Sequence, residues 1–176
     1  MCGCAGGKRV LASWFCCGDV WGPCCLYFDE TLTPPRCVPC PNGTCPQGKN
    51  CNDARCRGAC GNCQSYNNQC AWPNISDACK NLTQPQNCNE NPSRYGCGTA
   101  ITVTICGPLK SVTATIADCG PRTKDFCGQS KLCCYDPSRP PYFFYAGNRL
   151  IDLTPAAFSA IATLDSGIVP VGLDKW

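Results

Sequence analysis

Cysteine supplies 22 of the 176 residues, and histidine none. No other property of the chain constrains its fold as strongly. Sixteen cysteines lie between Cys2 and Cys88, six between Cys97 and Cys134, and none follows. Content above about a tenth marks a disulfide scaffold. The even count allows every thiol a partner. Thiols at this density stay paired only in an oxidising compartment, so the chain reads as secreted and extracellular. Three glycosylation sequons agree, at Asn42, Asn74 and Asn81.

Charge narrows the partners. A net charge of +3 is too mild to argue for nucleic acid or an anionic membrane. No run approaches the ~20 apolar residues of a membrane span. Met1-Cys2-Gly3-Cys4 has no apolar core of the kind a signal peptide carries, so Met1 reads as a processed or recombinant start. No cofactor is expected. Charged residues are only 15%, against 17 glycines and 16 prolines, which describes a loop-rich, covalently stapled protein.

The texture changes near residue 97. From Cys16 to Pro92 there is almost no apolar periodicity, so disulfides must do what a core cannot. Their connectivity does not follow from sequence. From Thr99 onward the pattern is β. Ile101, Val103 and Ile105 alternate with threonines, as do Val112, Ala114 and Ile116, and Gly107–Lys110 between them predicts a hairpin. Tyr142–Tyr145 and Arg149–Leu153 flank Ala146-Gly147-Asn148, which predicts a second strand pair. Thr154 is expected to cap a short helix starting at Pro155, with Phe158, Ile161 and Ala162 on one face. Ile168–Val171 is expected as a final strand, placed at an edge or bulge by Pro170.

Four segments carry a family resemblance. Cys97-Gly98-Thr99 through Cys106 resembles a strand of expansins, as does Ser111 through Cys119-Gly120-Pro121. Ile151-Asp152-Leu153-Thr154-Pro155-Ala156-Ala157-Phe158 resembles the expansin "FDL…AF" segment, and Gly167–Val171 the closing "GIVPV". The resemblance implies a mostly β fold: a six-stranded double-psi β-barrel with one or two short helices, plus a disulfide-rich irregular region. Ala12-Ser13-Trp14-Phe15 resembles the opening strand. The barrel is then expected at 9–176, with strand one at 9–15 and the remainder at 97–176, interrupted by a cysteine-rich insertion at 16–96. With Trp176 five residues past Val171, a single-domain relative is expected, akin to barwin-like proteins, kiwellins and loosenins. Cys97, Cys106, Cys119 and Cys127 match staples of such barrels, and Cys133 and Cys134 join them as barrel cysteines.

The resemblance also nominates a site. Asp152 matches the expansin Asp, which serves as general acid in related glycoside hydrolases and lytic transglycosylases. Asp118 matches a second groove Asp, and Ser13 and Phe15 would line the same groove. Two carboxylates across a groove suit inverting glycoside hydrolysis. The bland alternative has Asp118 pinning a turn and Asp152 meeting backbone amides. Phe15 stands where hydrolases keep an Asp before Cys16-Cys17, the "HF" signature is Leu150-Ile151, and no histidine can shuttle a proton. Asp19 is a further, weaker candidate base. Binding of polysaccharide (cellulose, chitin or another glycan) without hydrolysis is therefore expected first. A weak endoglucanase or lytic glycosidase is the second reading. A structural, defence-effector or extracellular assembly subunit, making protein contacts or self-associating through its cysteines, is the third. Cys37, Cys40, Cys60 and Cys63 have near-zinc spacing, but their neighbours favour disulfides, so no metal is expected. Cys16–Cys24 faintly resembles a chitin-binding core around Trp21.

Overall fold

The computed structural model describes residues 8–73, 92–107, 109–121, 130–133 and 145–176. Its strands are β1 (Lys8–Trp14), β2 (Leu26–Asp29), β3 (Arg36–Pro39), β4 (Gln69–Trp72), β5 (Ala100–Ile105), β6 (Ser111–Cys119), β7 (Ser130–Cys133), β8 (Tyr145–Leu153) and β9 (Ile168–Leu173). Among the described residues there is one α-helix, α1, spanning Pro155–Ile161. Six strands close into a ring in the order β1-β9-β5-β6-β4-β8, and β8 pairs back onto β1. The ring is mixed: β1 runs parallel to β8 and β4 parallel to β6, while the other pairs are antiparallel. This is the closed six-stranded β-barrel that the sequence implied.

The alternating segments behave as period two requires. Ile101 and Val103 of β5 face Ala114 and Val112 of β6 across the expected hairpin. All four are buried in the barrel core with Val10, Trp72, Leu153 and Val171. Phe158 and Ile161 of α1 close one side of that core. Trp72 is fully buried, its indole N–H donates to the Ser93 carbonyl at 3.0 Å, and its ring meets Tyr95 at 5.5 Å. Cys70 lies beside it in the core as a free thiol. Burial, and then the charge of Asp152, hold that thiol far above its ordinary pKa.

Several local expectations differ. β4 lies inside the stretch 16–96 expected as one insertion, yet it is a central barrel strand between β6 and β8. Its four residues are all buried, so they show no alternation. Ala146-Gly147-Asn148 is not a turn: it is continuous with β8 and pairs with β7. Pro170 does not mark an edge, because β9 lies between β1 and β5. Its carbonyl accepts from Cys106 N at 3.0 Å, just past the end of β5. Amide and carbonyl of one strand residue point the same way, so the missing N–H falls where β5 has stopped. Thr154 precedes α1 without capping it through its side chain. Its buried hydroxyl donates to Asn67 O (2.6 Å) and accepts from Gln69 N (3.1 Å), tying the helix start to β4.

Between β1 and β4 the chain forms a lobe with one small sheet, the hairpin β2–β3. Five disulfides close within it: Cys16–Cys24, Cys17–Cys63, Cys25–Cys40, Cys37–Cys56 and Cys45–Cys51. A sixth, Cys60–Cys97, fastens the lobe to the lead-in of β5. Its apolar clusters are mostly sulfur: Cys25, Cys40 and Cys51 form one, and Cys17 and Cys63 join Ala117 of β6 in the other. Gly18 is required here, since a Cβ would stand 2.2 Å from Cys56 Cβ. Among the described residues no helix is long and apolar enough to cross a membrane.

Candidate functional site

Four adjacent strands bring Asp118, Ala71, Asp152 and Ser13 into one row. Asp118 of β6 registers with Ala71 of β4, Ala71 with Asp152 of β8, and Asp152 with Ser13 of β1. Register partners present their side chains on one face of a sheet. The two carboxylate-bearing residues are two strand spacings apart, about 10 Å between Cα atoms.

Bulges aim this row. Cys70 pairs with Ile116 and Ala71 with Asp118, so Ala117 is an extra residue on β6. Leu11 pairs with Arg149 and Ala12 with Ile151, so Leu150 is an extra residue on β8. Each extra residue reverses the inside–outside alternation just before an aspartate. This explains why Leu150 and Ile151 are both in the core while Asp152 is turned to the other face.

The two carboxylates differ in their surroundings. Asp152 is 8% exposed, and Ser13 Oγ donates to its Oδ1. Gly120 lies over the row; a Cβ there would be 3.6 Å from Ala71 Cβ and 3.7 Å from Asp152 Oδ2. Asp118 Oδ1 accepts from Ala59 N (2.8 Å) and Cys119 N (2.7 Å). Gly58 covers it so closely, at a φ of 71°, that a Cβ would sit 2.8 Å from Ala117 O and 3.0 Å from Asp118 Cγ. Burial pushes the Asp118 carboxyl above the ordinary carboxylate range, against the two amide bonds that favour its charge. Gly58, Ala71 and Gly120 escaped the sequence reading. Small residues among many glycines and alanines carry no signal until the register is known.

The remaining nominated residues scatter. Phe15 is half-buried against Cys17, Cys63 and Ala117, and its amide donates to Leu153 O at 2.9 Å. Asp19 is outside the row, buried in the lobe. Trp21 is 37% exposed and bridges to Cys24. Cys97 pairs with Cys60, and Cys106 and Cys119 are disulfide-bonded. Cys133 ends β7, and Cys127 and Cys134 lie outside the described residues. Asn42 is exposed with a φ of 53°, while Asn74 and Asn81 lie outside the described residues, as do Tyr142–Phe144 of the aromatic run. Cys37, Cys40, Cys60 and Cys63 belong to four different disulfides. The sulfurs of Cys25, Cys40 and Cys51 gather within 4.8 Å, but all three are likewise in disulfides and offer no thiolate.

Family comparison matches residues 58–173 to a double-psi β-barrel model described as lytic transglycolase. The match takes in β4 through β9 and leaves β1 and most of the lobe outside. A search of curated proteins finds no match. A match over most of the chain, on a closed six-stranded mixed barrel, makes this chain a member of the double-psi β-barrel family of lytic transglycosylase-like and expansin-like proteins.

Proposed function

We propose that the protein is secreted, and that the barrel face around Asp152 binds a cell-wall or extracellular polysaccharide without hydrolysing it. One observation supports this most. Asp118 and Asp152 share a register with Ala71, yet Asp118 commits an oxygen to two backbone amides and lies under Gly58. Inverting hydrolysis needs its second carboxylate free to activate water, about 6.5–9.5 Å from the first. Asp118 instead holds the lobe onto the barrel. The chain has no histidine to replace it. Asp152, oriented by Ser13, remains as an acceptor for sugar hydroxyls, and the family's lytic description makes a glycan the natural partner.

A second reading is favoured by that description: weak lytic or endoglucanase cleavage with Asp152 as general acid. Retention on insoluble cellulose, chitin and peptidoglycan, paired with a reducing-end and soluble-fragment assay, separates the two. The expected result is retention on at least one polymer, weakened at least about tenfold by Asp152→Asn, with no fragments released. Release abolished by Asp152→Asn would establish the second reading. Neither retention nor release would overturn both and leave an assembly role, visible as self-association on sizing.

A further inference from the structure

The lobe carries an open pocket of about 400 Å³, lined by Asp19, Val20, Asn50, Asn52, Gln64 and Tyr66, with the Cys45–Cys51 disulfide in its wall. That size falls in the range of small-molecule sites. None of these residues belongs to the barrel row.

Asp19 is the chemical centre of this cavity. It is 6% exposed. Its Oδ2 accepts from Ser65 N at 2.9 Å, whereas Oδ1 is buried with no partner among the described residues. A buried carboxylate oxygen is stable only when a donor reaches it, and here the described residues supply none. A hydroxyl brought by a ligand can supply the missing donor.

The amide side chains set the complementary half. Asn50 Oδ1 accepts from Asn52 N at 3.0 Å, and Asn52 Oδ1 accepts from the Arg57 guanidinium at 3.3 Å. Backbone N–H and guanidinium can only donate, so both amides have their carbonyl ends committed and their NH₂ ends left over. Gln64 is partnered by Asn67 at 3.0 Å and retains capacity at its other end. A hard cation is disfavoured: one carboxylate and amide NH₂ groups do not make the six to eight oxygens of such a site. An anion is disfavoured by Asp19. At the rim Tyr66 is 48% exposed and Val20 61%, an aromatic and an aliphatic surface beside the polar groups.

One donor-seeking oxygen, several acceptor-seeking amides and an aromatic rim match a neutral polyhydroxylated ring. We propose that this cavity binds a single neutral sugar residue. Asp19 Oδ1 accepts a ring hydroxyl, Asn50 and Asn52 donate to sugar oxygens, and Tyr66 covers an apolar face of the ring. The site is independent of the barrel face.

The test is calorimetric titration of the full oxidised chain with chitotriose, cellotriose and calcium chloride separately. One of the sugars is expected to bind saturably at one site. Tyr66→Ala, at an exposed position whose loss leaves the disulfide framework intact, weakens it at least tenfold, and Asp19→Asn does the same with the near-ultraviolet dichroism unchanged. If Asp19→Asn loosens the lobe, Asn52→Ala takes its place, with at least a threefold loss. Binding that survives Asp152→Asn and falls with Tyr66→Ala assigns the sugar to this cavity even if polymer retention fails. No saturable sugar binding, equal affinity in Tyr66→Ala, or a heat signal reproduced by calcium alone overturns the proposal.

Discussion

The barrel and the lobe solve the same problem by different means. The barrel removes apolar side chains from water: Trp72, Phe158, Ile101 and Leu153 are all fully buried. The lobe has no such supply, and its small clusters are largely cystine sulfur. Where the barrel lowers the free energy of the folded state, the lobe restricts the unfolded one. The two are nonetheless joined, because the chain leaves β1 into the lobe and returns from it as β4, inside the ring.

Reduction should separate them most. With excess reductant, amides of residues 16–64 are expected to exchange freely while those of β1, β8 and β9 stay protected; equal loss in both regions would show that the barrel too depends on its cross-links. Trp72→Ala strikes the other side of the comparison. It should cost about 3–5 kcal/mol in a denaturant titration of the oxidised protein, with the lobe's cystines intact by mass spectrometry. Replacing Cys17 and Cys63 together with serine opens a closure spanning 46 residues, with an expected loss of about 2–4 kcal/mol. A loss near zero would mean the remaining disulfides already hold the lobe's base. The smallest effect concerns Asp118 at the junction. Its carboxyl titrates above the ordinary value of 3.8, so its contribution is fully present below that value and is lost as pH rises through the elevated one. Asp118→Asn should flatten the fall in melting temperature over that acidic window. An unchanged slope would show that the two amide bonds offset burial.

The same contrast governs what the sequence could reveal. Hairpin β5–β6 was legible because threonine alternates with apolar residues, the direct imprint of one buried face. The closing strand and Asp152 were legible through resemblance. β4 was not, because a four-residue strand covered on both faces has no period to read and sits among loop-forming residues. The extra residues Ala117 and Leu150 look like ordinary core positions, yet they decide which way Asp118 and Asp152 face. Nor could composition show that Asp118 is held by Ala59, or that Asp19 has an unmet oxygen, since both depend on contacts across more than forty residues of chain.

Cys70 gives the barrel a clock. Its thiol is fully buried and strongly disposed to stay protonated, so it is silent toward alkylating reagents while the ring is shut. Each time β4 parts from β6 or β8 the sulfur becomes reachable. The rate at which Cys70 itself takes up a thiol label, followed by peptide mass spectrometry, therefore counts spontaneous openings of the strand that joins lobe to barrel.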